Sequence, residues 1–382
     1  MKILFLVYHG FSEHSGISKK IHYQVKGLRE NGHEVHLCYY DFTENGHRCR
    51  YIDDKVIADY GTGWFAGLRQ RINYGSLYNY CISQGIEFVY ARSFMNATPW
   101  LIHFFKKLKR KNIKAVTEIP TYPYDTEFNP HIWKQPSRFI IDKLFRNCLA
   151  RQMNAIVTFS DANVIFGQRT INISNGVDLV SIPLHPTNFN PNDPLHLISV
   201  AEVKPWHGID RMIKGLGEYY NRKKSEGGKA KELYFHVVGG IWEGHMTGER
   251  GIGTLIERYN LQDKVFLHGQ LFGQQLDDVF NQCQFAIGSL GRHRSGITVI
   301  KTLKNREYAT RGIPFIYSEQ DSDFDTQPYV LKAPADESPI DIQQIIDFMN
   351  HFTMKPEEIR KTVEHLTWKI QMQRVIDAVY NN

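Results

Sequence analysis

At 382 residues, 42% apolar and 23% charged, the chain has the composition of a globular protein long enough for two domains with separate cores. Only six apolar residues in a row, Ile3 to Tyr8, precede His9, too few for a signal-peptide core, and no later segment approaches a membrane span. The five cysteines (Cys38, Cys49, Cys81, Cys148 and Cys283) form no CxxC pair and no Cys/His ligand spacing, so they read as reduced, buried thiols of a cytoplasmic protein.

The net charge of +6 is uneven: residues 1–180 hold 23 Lys and Arg against 15 Asp and Glu, and residues 181–382 hold 23 against 25. In the first half, short apolar β-rich runs at residues 2–8, 34–39, 88–92, 114–119 and 155–159 alternate with helical patterns. One of these helices spans 17–31, with Ile17, Ile21, Val25 and Leu28 on one face. The loop after the first run, Y-H-G-F-S-E-H-S-G-I-S-K-K, carries Gly10 and Gly16 ahead of that helix. Glycine there either lets backbone N–H groups approach a ligand or makes a plain turn. The loop is not GxGxxG and no acidic residue closes the second run at the expected distance, so a dinucleotide is not expected here. Further on, T-P-W-L-I-H-F-F runs into K-K-L-K-R-K-N-I-K, from Lys106 to Lys114. Two readings stand: a core helix with a solvated basic end, or a patch resting on anionic lipid, where each basic residue adds about 1 kcal/mol. No nucleic-acid motif surrounds the patch.

Residues 183–194, P-L-H-P-T-N-F-N-P-N-D-P, hold four prolines and three asparagines and read as a linker. Beyond it the same grammar resumes, with runs at 196–201, 234–238, 265–268, 285–289 and 314–317. Short apolar strands alternating with helices imply parallel, doubly wound sheets. The expected architecture is therefore α/β: two Rossmann-like domains, 1–182 and 195–355, with a tail at 356–382 reading as one long amphipathic helix. Open parallel sheets bind ligands outside the carboxyl ends of their strands, so the cleft between two such domains is the expected site.

Three signals in the second half point to an anionic ligand. After its first run, V-A-E-V-K-P-W-H-G-I-D puts Lys204 and His207 before Gly208, suiting a phosphate. The stretch G-S-L-G-R-H-R-S-G-I-T flanks a Gly/Ser turn with Arg292 and Arg294 around His293. The N–H groups of Ser295, Gly296 and Ile297 could form an anion nest there. The helix L-K-N-R-E-Y-A-T-R-G-I-P then brings Lys304, with Arg306 expected at solvent, and Glu307, whose carboxylate would accept from sugar or ribose hydroxyls. Two acidic pairs carry less: D-S-D at Asp321 to Asp323 reads as a solvated loop rather than a metal site, and Asp277–Asp278 as the first turn of a helix.

These stretches, with G-I-S-K-K, I-S-N-G-V-D and V-F-L-H-G, resemble glycosyltransferases of the GT-B fold, close to family 4. E-I-P-T-Y-P-Y-D-T-E is similar to a segment of bacterial capsule and O-antigen transferases of that group. The resemblance implies sugar transfer from a nucleotide-sugar donor with retention of configuration, no cofactor and no bound metal. It puts the nucleotide on the second domain, near Gly16, Lys204, His207, His293, Arg294, Ser295, Gly296, Ile297, Lys304 and Glu307. The acceptor, a glycan or a lipid-linked sugar, would lie mainly on the first domain, where Tyr122, Tyr124 and Asp125 either stack on it or simply pack. Lys204 and Arg294 would stabilise the leaving diphosphate, which itself takes the acceptor proton, and Glu307 would orient the donor. The tail helix would cross back to the first domain. The protein would act in the cytoplasm, with the inner membrane face as a possible surface.

The chain departs from the family pattern at two places. The first glutamate of E-x7-E falls on Val299, and the phosphate-clamping Arg and Lys fall on Glu202 and His207. Two alternatives follow: a nucleotide-sugar epimerase of the same fold, or a non-catalytic, transferase-like partner.

Overall fold

The computed structural model describes residues 1–12, 15–92, 95–125, 136–186 and 189–381. The chain divides into two compact units: Met1–Gly176 with Leu366–Asn382, and Val177–His365.

The first unit is built on strands β1 (Lys2–Leu6), β2 (Glu34–Phe42), β3 (Arg48–Ile52), β4 (Lys55–Asp59), β5 (Phe88–Arg92), β6 (Lys114–Ile119), β7 (Ala155–Thr158), β8 (Val164–Ile165) and β9 (Gln168–Asn172). Its helices include α1 (Gly16–Glu30), α2 (Gly63–Ile72), α3 (Gly75–Ser83), α4 (Pro99–Lys109) and α5 (Pro136–Ala150). The sheet order is β4-β3-β2-β1-β5-β6-β7-β9-β8, parallel from β2 through β1, β5, β6 and β7 to β9. Central β1 shows why its residues are apolar from Ile3 to Leu6. Ile3 and Phe5 enter a core on one face, while Leu4 and Leu6 enter another on the opposite face. Within the antiparallel edge β2-β3-β4, β3 and β4 were not legible as strands, because R-C-R-Y-I and K-V-I-A-D mix charge with apolar residues.

Strand β3, paired between β2 and β4, carries an unusual charge. Arg50 is wholly buried; its Nε donates to Tyr40 Oη at 3.0 Å, and its Nη2 donates to the same hydroxyl. The rings of Tyr40, Tyr74 and Tyr60 lie 4.9, 5.0 and 5.6 Å from its Cζ. Each cation–π contact contributes about 0.5–2 kcal/mol, against an effective cost of several kcal/mol for taking an ion out of water.

The second unit has β10 (Leu195–Val200), β11 (Leu233–Val238), β12 (Val265–Gly269), β13 (Phe285–Ile287), β14 (Phe315–Tyr317) and β15 (Val330–Lys332). With them come α6 (Ile209–Ser225), α7 (Ile252–Arg258), α8 (Gly273–Gln282), α9 (Leu303–Arg311), α10 (Ile342–His351) and α11 (Pro356–Lys361). Its sheet runs β12-β11-β10-β13-β14-β15, all parallel. Ile209, Met212, Ile213 and Leu216 of α6 pack on Leu195, Leu197, Phe235 and Val237 in its core.

The tail departs from the single helix expected over 356–382. It breaks into α11, a 3-10 turn at Glu364–Leu366 and α12 (Trp368–Tyr380). Only α12 belongs to the first unit, where Trp368, Met372, Val375, Ile376 and Val379 complete a core with α1. The contact is close: a Cβ on Gly27 of α1 would stand 2.7 Å from the Trp368 carbonyl carbon. Residues 183–186 of the expected linker are held within the second unit, where the His185 N–H donates to Arg311 O at 2.8 Å; Thr187 and Asn188 lie outside the described residues.

All five cysteines are free, and all but Cys148 are buried. Among the described residues no helix is long and apolar enough to cross a membrane. In the basic stretch, Lys107 Nζ sits 3.7 Å from the Tyr78 ring centre and Lys114 donates to Val379 O at 2.9 Å, whereas Lys106, Lys109, Arg110 and Lys111 are exposed.

Candidate functional site

At the carboxyl ends of β10 and β13 two loops are laced together. After β10 comes a 3-10 turn, Pro205–His207, and after β13 another, Arg292–Ser295. Leu290 N–H donates to His207 O at 3.0 Å and Gly291 N–H to Trp206 O at 3.1 Å. Between them Gly208 adopts φ +66°, and a Cβ there would stand 2.7 Å from Leu290 Cβ. Glycine is required on both counts. The Lys204 N–H donates to His207 Nδ1 at 3.1 Å, so this nitrogen is the acceptor and the neutral ring keeps its hydrogen on Nε2. Burial holds the His207 pKa well below its ordinary value, and the charges of Lys304, Arg292 and Lys204 push it further down.

Helix α9 brings Lys304 to the same place. Its Nζ is buried and, among the described residues, has no hydrogen-bond partner. Burial lowers its pKa to about 7, against the pull of Glu319 and helped by Arg292. Glu319 stands two residues past β14, 1% exposed. Burial raises its pKa although Arg292 and Lys304 act to lower it. Its Oε1 accepts from Asn305 Nδ2 at 3.4 Å. Its Oε2 has no partner among the described residues, nor have Asn305 Oδ1 and Ser289 Oγ. Most buried polar atoms in proteins are paired, and each one left alone costs about 1–3 kcal/mol. Five such atoms, from Ser289, Lys304, Asn305 and Glu319 with Thr302 Oγ1 at the start of α9, gather at or near the strand ends where parallel sheets hold ligands. A cavity of about 290 Å³ in the same unit is lined instead by residues including Lys204, Asp210, His245, Arg250 and Arg294, and by none of those five.

The remaining expected residues are largely engaged within the chain. Arg294 donates through Nη1 and Nη2 to the Asp210 carboxylate at 2.8 and 2.9 Å, through Nε and Nη2 to Glu337 at 2.9 and 2.6 Å, and to Pro205 O at 2.7 Å. Its guanidinium thus fastens the β13 loop to α6. His293 Nε2 is 2.8 Å from Glu337 Oε1. Gly296 N–H donates to His293 O at 3.1 Å, closing its own turn; Ile297 is buried beside it, and Ser295 Oγ donates to Arg292 O at 2.8 Å. Lys204 pairs with Glu202 at 2.9 Å and lies 4.7 Å from the Trp242 ring. Glu307 accepts from Arg311 Nε and Nη2 at 3.2 and 3.0 Å. Val299 bridges to Gln320 through its backbone, next to Glu319.

In the first unit, Gly16 opens α1 with nothing within 4 Å of its would-be Cβ. Tyr122 and Tyr124 meet the Phe166 ring edge-on. Tyr124 Oη donates to Asp142 at 2.6 Å, and Asp125 takes two hydrogen bonds from Arg146 at 2.7 and 3.2 Å. The last two residues of that motif, Thr126 and Glu127, lie outside the described residues.

Two expectations are corrected. The D-S-D loop is not solvated, and Arg306 does not face solvent. Arg306 is buried and donates to both oxygens of buried Asp321 at 2.5 and 2.9 Å, and also to Asp323. Asp277 lies beyond the first turn of α8 and pairs with Arg311 at 2.8 Å. Glu319 and Asn305 escaped the sequence reading. The available signal was that Glu319 closely follows the apolar run F-I-Y, at a carboxyl strand end.

No protein-family model and no curated protein matches the chain. Solved structures do match over the whole length. A sucrose-phosphate synthase from Thermosynechococcus elongatus is 14% identical, with 100% of this chain and 99% of that chain covered and a TM-score of 0.64. Anabaena HepE in complex with UDP is 14% identical, with 100% of each chain covered and a TM-score of 0.61. The catalytic domain of Arabidopsis thaliana starch synthase IV, bound to ADP and acarbose, is 11% identical, with 100% and 98% covered and a TM-score of 0.58. The chain has the GT-B fold. Identities this low carry the architecture alone. In this GT-B chain one group of unpartnered polar atoms, from Ser289, Thr302, Lys304, Asn305 and Glu319, falls in the second unit, at or near the ends of a parallel sheet.

Proposed function

We propose that the chain is a retaining glycosyltransferase of family 4 type. It would move a sugar from a nucleotide-sugar donor to a glycan or lipid-linked acceptor in polysaccharide synthesis, with no resident metal. The observation that carries this reading is the buried, unpartnered Lys304 ammonium beside Glu319, Arg292 and neutral His207. A buried cation that has no hydrogen bond or ion pair among the described residues favours a ligand that brings a negative charge to it, and a nucleoside diphosphate does so. The names of the structural neighbours, among them HepE in complex with UDP-glucose, point the same way.

In the reaction the bond from the anomeric carbon to the diphosphate oxygen breaks and a bond to the acceptor oxygen forms. The acceptor proton passes to the departing diphosphate. Lys304, with Lys204 and Arg292, would stabilise the charge growing on that leaving group. His207 Nε2–H would donate to the phosphate or to a sugar hydroxyl. Glu319 and Glu307 are the carboxylates available to orient hydroxyls. Tyr122, Tyr124 and Asp125 would shape the acceptor side, Asp125 through its clasp on Arg146. Exposed Lys106, Lys109, Arg110 and Lys111 would serve a lipid-linked acceptor at an anionic surface.

The test is calorimetry with UDP-, GDP- and ADP-sugars, followed by assay of acceptor-dependent release of the nucleoside diphosphate. At least one donor should bind and be consumed only when acceptor is present. Failure of every donor to bind would sink the reading. Conversion of the sugar without acceptor would replace transfer by epimerisation.

A further inference from the structure

We propose that the first unit holds a small monoanion, a halide ion or a carboxylate group, between Arg50 Nη1 and the Tyr8 hydroxyl. The inference does not depend on the donor chemistry of the second unit.

Arg50 is a permanent cation, 0% exposed, and its recorded hydrogen-bond partners are neutral: the Tyr40 hydroxyl and, at 3.5 Å, Gln70 O. Among the described residues no carboxylate pairs with it. The other strongly buried arginines are treated differently. Arg306 has Asp321 and Asp323, Arg311 has Glu307 and Asp277, and Arg211 has Asp336. Among the described residues Arg50 has the tyrosine cage and Gln70 O but no carboxylate, so its charge is uncompensated where charges are most costly.

The cage does not supply the missing anion. Burial holds the Tyr40 and Tyr8 hydroxyls well above their ordinary range, although Arg50 draws both down, and it pushes Tyr60 up to about 12. All three are neutral at physiological pH. Their rings lend the guanidinium their electron-rich faces, but those contacts leave its Nη1 with no hydrogen-bond partner among the described residues.

A second orphan stands in the same cluster. Tyr8 stands two residues past β1, packs against Tyr40 and Tyr60, and stacks on the Tyr40 ring with centroids 6.1 Å apart. Its hydroxyl is buried and also lacks a partner. Both orphans can donate, which selects an acceptor of hydrogen bonds. The single positive charge selects one negative charge. A bridging water would satisfy the hydrogen bonds and leave the charge uncompensated. A phosphate dianion would overshoot that charge. A halide can be enclosed entirely, whereas a carboxylate borne by a larger ligand would enter past Tyr8, whose side chain is half-buried rather than sealed.

The experiment uses the full chain at constant ionic strength set with sodium sulfate. Thermal unfolding is followed while sodium bromide, sodium formate or sodium glucuronate replaces sulfate, and crystals grown in bromide are measured for anomalous scattering. A saturable rise in the melting temperature is expected, with a bromide peak between Arg50 and Tyr8 if the source is a free halide. A response to formate and glucuronate alone would assign a carboxylate. Tyr8→Phe keeps the cation and removes one donor, and should weaken the apparent affinity about tenfold. Arg50→Met should abolish the response; if that variant does not fold, Tyr8→Phe and the bromide map still decide. A melting temperature indifferent to all three anions, with no anomalous peak at Arg50, would overturn the proposal.

Discussion

Two buried lysines, one in each unit, show how partners decide what a buried charge is for. Lys20 on α1 lies 3.2 Å from Glu118 Oε1 and 3.6 Å from the Phe159 ring centre. Burial lowers its pKa to about 8, with Glu118 opposing. Glu118 is equally buried, which alone would raise it. Lys20, Arg92 and hydrogen bonds from Tyr90 and Gln24, both at 2.6 Å, bring it down to about 2 instead. In the second unit the Lys304 Nζ and Glu319 are also buried, yet no ion pair within 4 Å joins them among the described residues, and burial raises Glu319. The first group is closed and needs nothing further. The second is left open in a way that only a ligand or solvent completes.

The largest expected effect separates the two groups by stability. Glu118→Gln leaves Lys20 and Arg92 buried without their counter-charge and should cost about 3–5 kcal/mol. Lys304→Met removes a charge with no partner to lose, and should change stability by less than about 1.5 kcal/mol. Denaturant titration of both variants measures this, and equal losses would break the comparison. The acid side gives the same contrast. Glu118 has a folded pKa below its unfolded value. Its stabilisation is therefore present above about pH 4.5 and is lost as pH falls toward 2.

The next effect concerns binding. Lys304→Met should weaken binding of the nucleoside diphosphate about tenfold or more, since a charge-assisted hydrogen bond to the phosphate is lost. In the unliganded protein the Lys304 pKa is near 7, and an arriving anion favours the protonated form. Affinity should therefore fall as pH rises above about 7, with proton uptake on binding. Calorimetry in two buffers of different ionisation enthalpy detects that proton. A wild-type affinity flat from pH 6.5 to 8.5 would show that Lys304 does not meet the phosphate.

How much of this the sequence carried depended on whether a feature was local. Strands β5 and β6 were readable at both ends, because each carries a short β-rich stretch, F-V-Y-A and A-V-T, beside a charged residue; that Glu118 within β6 is buried was not readable. Lys204, His207 and Lys304 stood out because charged or titratable side chains near a strand end are locally anomalous. Partners were not readable. Arg294 looked like a free clamp, but Asp210 and Glu337, 84 and 43 residues away, converge on it. S-E-Q-D-S-D looked like a solvated loop, but Arg306, fifteen residues earlier, draws Asp321 inside. The tail helix likewise breaks where α11 stays in the second unit and Trp368 must seat on Gly27 of the first.

The smallest effect bears on which carboxylate serves the open site. Glu307 is about a third exposed and bound to Arg311, which is also held by Asp277 at 2.8 Å. Glu307→Ala leaves buried Arg311 still paired with Asp277, so the loss should be about 1 kcal/mol and the variant should unfold close to where the wild type does. If Glu307 leaves Arg311 to accept a donor hydroxyl, the variant should lose about tenfold or more in kcat/KM, far more than the change in stability explains. If turnover is unchanged, Glu307 is an ion pair of α9 and nothing more. Glu319 then becomes the carboxylate to replace next: its Oε2 already lacks a partner, and its neighbour Gln320 bridges to Val299, the position where the family pattern places the first glutamate.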